Sequence, residues 1–149
     1  MTMAIAPLTE ASLAELARLT LELWPECTYE EEYRNAEKLL GSEKDAVFLG
    51  KTPDGEHMAF IMLSLRYEYV EGTDSAPVGY IEGIYVQPSY RKHGIARMLV
   101  ETGEEWCRKQ GCREMASDAE IGNVDSQAFH EQMGFEEVNR VVCYRKGLG

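Results

Sequence analysis

The sequence predicts an α/β (α+β) fold on a mixed, mostly antiparallel sheet flanked by helices, and three observations predict it. Its 149 residues, 44% hydrophobic and 28% charged, suit one domain over residues 1–149 with a core that needs no disulfide staples. Hydrophobic periodicity gives the order β-α-α-β-β-β-α-β-α-β-β, which is not a doubly wound repeat. The third helix carries an apolar stripe wide enough to lie buried against a sheet.

Met3–Ala6 reads as a short edge strand stopped by Pro7. Thr9 can cap a helix whose Leu13, Leu16, Leu19 and Leu23 repeat at near-helical spacing until Trp24-Pro25. Thr28 and Glu31 form a capping box for a second helix, stopped at Gly41. Ala46–Gly50 is a strand, Pro53-Asp54-Gly55 a hairpin turn, and Met58–Tyr69 a long strand. Its Ala59, Ile61, Leu63, Leu65, Tyr67 and Tyr69 share one face. Glu71–Pro77 reads as a loop, and Val78–Val86 as a strand in which Gly83 marks a bulge or a close backbone approach. Gly94 opens the third helix, with Ile95, Met98, Leu99, Thr102 and Trp106 on its stripe, and Gly111 stops it. Arg113–Ser117 is a short strand and Val124–Met133 a helix closed by Gly134. Phe135–Asn139 and Val141–Arg145 read as a terminal pair of strands.

Composition removes several function classes. Fifteen Lys and Arg face 26 Asp and Glu, a net charge of −11. That balance argues against nucleic acid, which needs a positive footprint, and suits a polycationic small-molecule amine. No apolar run approaches a membrane span, and the opening Met1–Pro7 lacks the basic and apolar regions of a signal peptide. Cys27, Cys107, Cys112 and Cys143 lack C-x-x-C spacing and read as free thiols of a reducing cytoplasm. His57, His93 and His130 form no H-x-x-x-H pair, so no metal is expected.

The chemistry is concentrated at Val86-Gln87-Pro88-Ser89-Tyr90-Arg91-Lys92-His93-Gly94-Ile95-Ala96. A strand ends, two cations follow, and a glycine opens a buried helix. Helix-start amides lack intrahelical acceptors, so they and the macrodipole form an anion cradle that Gly94 and Ala96 leave open. This pattern, with Phe129-His130-Glu131-Gln132-Met133-Gly134-Phe135 downstream, resembles the acetyl-CoA signature of the GCN5-related N-acetyltransferases, the GNAT superfamily. Leu23-Trp24-Pro25, Glu82-Gly83-Ile84, Cys112–Asp118 and Val142–Lys146 resemble the aminoglycoside 6′-N-acetyltransferases within it.

The resemblance implies that the strands at Tyr80–Val86 and Arg113–Ser117 splay apart and admit pantetheine like an extra strand. The Ile84 amide would face the thioester oxygen, the Val86 backbone would bind pantetheine, and Arg91, Lys92, His93, Gly94, Ile95 and Ala96 would surround the pyrophosphate. Asn123 and Ser126 would reach the cofactor's other side, although Asn123 equally suits a helix N-cap. His93 also reads as an exposed turn residue. A homodimer, built through the C-terminal strands, is a further implication.

Acetylating an amine requires removing its proton. An alkylammonium of pKa about 10.4 is neutral at pH 7 only about four times in ten thousand, a deficit of about 4.6 kcal/mol. Glu82 is expected in phase with Tyr80, Ile84 and Val86, and Asp118 ends the neighbouring strand, so both are candidates to grip an ammonium or take its proton. A salt bridge for Glu82 and a cap for Asp118 are the structural alternatives. The family often has a tyrosine where His130 stands, proposed to protonate the leaving thiolate. His130 is thus either a general acid or a packing residue, and Tyr144 is a weaker second candidate. Trp24, Tyr67 and Asp74 are the remaining substrate-binding candidates. With no base paired to Cys107, Cys112 or Cys143, the expected route is direct transfer in a ternary complex. Acetylation of another amine, or CoA binding without turnover, are the competing functions.

Overall fold

Strand pairing accounts for the sheet in a computed structural model, which describes residues 3–149. The strands β1 (Ala4–Pro7), β2 (Asp45–Lys51), β3 (His57–Arg66), β4 (Val78–Val86) and β5 (Met115–Ala116) lie side by side in that order. The first four pair antiparallel, and β5 joins β4 in parallel. A parallel neighbour requires a crossover, which helix α3 (Ile95–Lys109) supplies. Helices α1 (Leu13–Leu23), α2 (Tyr29–Leu40) and α4 (Val124–Gln132) complete the fold. Met1 and Thr2, which open the stretch read for a signal peptide, lie outside the described residues.

Local chemistry sets the element ends. The Ser12 hydroxyl accepts the Thr9 amide at 3.0 Å and shapes a 3-10 turn, Glu10–Ser12, so α1 begins one turn later than Thr9 predicts. The α2 capping box is present: the Glu31 amide donates to Thr28 Oγ1 at 3.2 Å and the Thr28 amide to Glu31 Oε1 at 3.0 Å. Pro7 stays within β1, which tolerates it because β1 is an edge strand.

Alternation along β3 ties two helical layers to the sheet. Ala59, Ile61 and Leu63 pack with Ile81, Val86 and the α3 residues Ile95, Leu99 and Val100. Phe60 faces the other way, onto Leu16, Leu19 and Ala36 of α1 and α2. Each such fully buried aliphatic or aromatic side chain contributes about 1.5–3 kcal/mol. The thiols of Cys27, Cys107, Cys112 and Cys143 are free, and burial, followed by the neighbouring Cys112, pushes Cys107 up to about 12.

Four expectations are corrected. Met62 pairs with Gly83 and Leu63 with Ile81, so Glu82 is an extra residue, a β-bulge beside Gly83. The bulge inverts the alternation: Ile81, Ile84 and Val86 face α3, whereas Glu82 turns to the opposite face with Ser64 and Arg66. Glu82 is therefore out of phase with Ile84 and Val86. Second, β3 ends at Arg66, because its last partner is Val78 and β4 begins there. Tyr67 and Tyr69 lie beyond it, 59% and 75% exposed.

Third, β5 has two residues rather than five, because only Gly79 and Tyr80 pair with it before the strands part. Fourth, Phe135–Asn139 and Val141–Arg145 are not strands. Val138 sits against the loop at Gly72, and the Asn139 amide group donates to Glu71 at 3.0 Å. Valine and aromatic content favours a strand, but a strand also needs a partner edge, and β5 offers only two residues.

Candidate active site

The parting of β4 and β5 creates an open backbone edge. The Gln87 amide donates to Met58 O on β3 at 2.9 Å, and Tyr85 and Gly83 share that edge by alternation. Ile84 and Val86 consequently turn their backbone groups toward the side where β5 has ended. An extended chain inserted there would find them as β-ladder partners. The Val86 carbonyl already accepts Arg91 Nε at 2.8 Å, which holds the guanidinium at the end of the gap.

The anion cradle closes the same end. Lys92 has φ 68° and Gly94 φ 78°, so the chain turns twice through the left-handed region and gathers its amides. Gly94 offers α3 no side-chain cap, which leaves the first amides, from Ile95 onward, without an intrahelical acceptor. A Cβ built on Gly94 would meet no protein atom within 4 Å, so the turn is open on that side. Arg91, Lys92 and His93 are exposed around it. The residues present therefore fit the pyrophosphate of CoA.

Two carboxylates stand at the other end. Glu82 accepts Arg66 Nη2 at 2.9 Å and Nε at 3.1 Å, and the Ser64 hydroxyl as well. The Arg66 guanidinium lies 3.4 Å above the Tyr80 ring. The Tyr80 hydroxyl donates to Asp118 Oδ2, so one chain of contacts joins Glu82, Arg66, Tyr80 and Asp118. Burial, then that hydrogen bond, pushes Tyr80 up to about 12. Among the described residues no cation lies within ion-pair distance of Asp118. Trp24 borders this floor, its ring against Gly83.

The remaining candidates lie in the chain between β3 and β4, at α4 and in the C-terminal tail. The exposed Asp74 lies in the Val70–Pro77 loop, where its amide and the Ser75 hydroxyl both donate to Glu114. Those bonds hold the Glu114 carboxyl below its ordinary range. Tyr67 is solvent-exposed just past Arg66. Asn123 accepts the Ser126 amide at 3.1 Å, the capping use foreseen for it, and Ser126 turns its carbonyl to His130 Nδ1 at 2.7 Å. His130 Nε2 lies 2.8 Å from Ser117 Oγ, and Tyr144 is 90% exposed in the C-terminal tail.

Ser64, Arg66, Tyr80 and Ser117 were not singled out from the sequence. Two polar residues, Ser64 and Arg66, in the otherwise apolar phase of Phe60 and Met62 are the signal that could have found the first pair. Among the described residues no group of three His, Cys, Asp or Glu could hold a metal ion, and no helix is long and apolar enough to cross a membrane.

Comparison with known proteins agrees with this geometry. Residues 11–135 match the model of the acetyltransferase (GNAT) family. The chain is similar to the aminoglycoside N(6′)-acetyltransferase type 1 of Serratia marcescens, 42% identical over 131 residues, 88% of this chain and 90% of that protein. The structure of AAC(6′)-Iy in complex with the bisubstrate analogue CoA-S-monomethyl-acetylneamine matches with a TM-score of 0.94 at 37% identity, covering 99% of each chain. AAC(6′)-Ih from Acinetobacter baumannii matches with a TM-score of 0.93 at 37% identity, over 99% of this chain and all of the other.

Proposed function

The chain belongs to the GNAT acetyltransferase family, and from that membership we propose that it acetylates the 6′-amine of aminoglycosides with acetyl-CoA, in a ternary complex. The observation that carries the reading is the gap itself. It runs from an uncapped helix start flanked by Arg91 and Lys92 to a floor bearing Glu82 and Asp118. Anion, acyl group and ammonium are the three things such a gap would hold in line.

The cradle of Lys92–Ala96 would hold the pyrophosphate, with Arg91 adding charge-assisted contacts and Ile84 and Val86 pairing with the pantetheine arm. Asn123 and Ser126, on the far side of the gap, would border the cofactor. Acetyl-CoA supplies the activated acyl group. Asp118, unmatched by a cation, grips the ammonium, with Trp24, Tyr67 and Asp74 lining its approach. Glu82, oriented by Arg66 and Ser64, takes the proton through water. The Ile84 amide supports the thioester oxygen as negative charge develops on it.

The exposed tail supports a homodimer. Val141, Val142, Tyr144 and Leu148 are 67–92% exposed, more apolar surface than an isolated segment favours, and a second copy covers them in a homodimer. Four free thiols suit a reducing cytoplasm, and aminoglycoside resistance is the physiological role this activity would confer.

Thiol release from acetyl-CoA, measured with aminoglycosides bearing a 6′-amine, aminoglycosides with a 6′-hydroxyl, a polyamine and a peptide amine, tests the function. Turnover confined to the 6′-amines is expected. Preference for the polyamine or peptide would replace the substrate class, and CoA binding without turnover on any amine would leave only a binding module. Light scattering of the wild type and a Val142→Asp variant reads the assembly: a dimer shifted toward monomer is expected.

A further inference from the structure

His130 has both ring nitrogens engaged, and its partners fix its tautomer. Nδ1 lies 2.7 Å from the Ser126 carbonyl oxygen, an atom that can only accept, so Nδ1 carries the hydrogen. In the neutral ring Nε2 is then an acceptor, and Ser117 Oγ donates to it at 2.8 Å. Phe129 and Phe135 hold the imidazole by edge contacts, with centroids 6.0 and 5.3 Å away. Ser117 is the first residue after β5, directly beyond the last pair, Tyr80 with Ala116. Its hydroxyl therefore stands where the two strands part, one residue from Asp118.

We propose that Ser117 is the catalytic residue that delivers the proton to the departing CoA thiolate, and that His130 acts through it as the proton's source. The inference rests on the acetyl-transfer reading above. When His130 is an imidazolium, Nε2–H donates to Ser117 Oγ and releases the hydroxyl hydrogen to point into the gap. As the carbon–sulfur bond breaks, its electron pair stays on sulfur. Sulfur takes the Ser117 hydrogen, Ser117 Oγ takes the Nε2 hydrogen, and the ring is left neutral with Nδ1–H on the Ser126 carbonyl. The amine's own proton leaves separately, and water returns one proton to His130 before the next turnover. Charge and atoms balance, and neither Ser117 nor His130 is consumed.

Ser117→Ala, Ser117→Thr and His130→Gln distinguish this relay from packing. Single-turnover acetyl transfer should fall by about 10²-fold in Ser117→Ala, within the usual range for general acid catalysis. CoA affinity by calorimetry and KM for the amine should stay within about twofold. Ser117→Thr, which keeps the hydroxyl, should restore most of the rate. The Ser117→Ala/His130→Gln double variant should be no slower than its slower parent, because the two act as one unit. In mixtures of light and heavy water, the wild-type rate should curve with deuterium fraction, as two protons in flight require, and the Ser117→Ala rate should not. Nitrogen-15 NMR of the protein without CoA should show His130 as the Nδ1–H tautomer, with an Nε2 resonance that moves in Ser117→Ala.

A Ser117→Ala variant with the wild-type transfer rate and the same curvature would overturn the relay, as would an Nε2–H tautomer. If the wild type acetylates no amine, the proposed function fails first and the relay with it; an active wild type beside an unaltered variant defeats the relay alone.

Discussion

The indole of Trp24 lies directly over Gly83: a Cβ at residue 83 would sit 2.8 Å from Cη2 and 3.2 Å from Cζ2 of that ring. Trp24 also packs against Phe60, ring centroids 6.4 Å apart. The contact couples the end of α1 to the bulge that presents Glu82. Gly83→Ala should displace the indole, lower stability by about 1–3 kcal/mol in a denaturant titration, and raise KM for the amine more than for acetyl-CoA. Equal changes in the two constants would mean that Trp24 does not border the amine.

Gly94 gives a cleaner view of the cradle. Its φ of 78° strains any side chain, but a Cβ there meets no protein atom within 4 Å. Gly94→Ala should therefore lose about 1–2 kcal/mol of stability from backbone strain, and Gly94→Val should weaken CoA binding beyond Gly94→Ala by filling the space proposed for phosphate. Calorimetry on both folded variants reads the difference; identical CoA affinities in Gly94→Val and the wild type would remove the cradle.

The two carboxylates should separate kinetically. On the roles proposed, Glu82→Gln removes the proton acceptor and should depress kcat by about 10²–10⁴-fold, with loss of the acidic limb of the kcat/KM profile. Asp118→Asn removes the unmatched charge and should chiefly raise KM for the amine. Interchanged phenotypes would exchange the two roles, and near-normal rates in both would place the base elsewhere.

Tyr80 predicts behaviour in alkali. Burial, then its bond to Asp118, hold its hydroxyl proton up to about 12, against about 10 in an unfolded chain. A group whose pKa is raised on folding contributes stability that is full below the unfolded value and lost as pH rises through the folded one. The loss should fall between about pH 10 and about pH 12. Tyr80→Phe should shrink that alkaline decline in Tm and remove one late-titrating tyrosine from the ultraviolet difference spectrum; an unchanged alkaline limb would show that the group does not carry the effect.

What the sequence made legible was local. The Thr28–Glu31 box, the helix opening at Gly94 and the limits of Val78–Val86 each depend on residues a few positions apart, and each is found as expected. The direction of Glu82 was not legible, because a bulge is defined by the partner strand: it exists only once Met62 and Leu63 choose Gly83 and Ile81. The link from Arg66 through Tyr80 to Asp118 joins residues of β3, β4 and the chain after β5, which no spacing rule connects. The C-terminal segments are as rich in valine and aromatic residues as strands are, yet that content carries no information about which edge will receive them.

The extra residue at position 82 also sets how this chain can change in length. Residues before it and after it obey opposite rules for which face they present, so β4 works like a message whose reading frame shifts once, at a fixed point. Removing Glu82 itself would straighten the strand and keep Ile81, Ile84 and Val86 on the α3 face, whereas removing a residue from either arm with the bulge in place would turn the rest of that arm over. Loops such as Val70–Pro77 can lengthen or shorten without that penalty, so variation in length among functional descendants of this sequence should collect there and stop at the bulge.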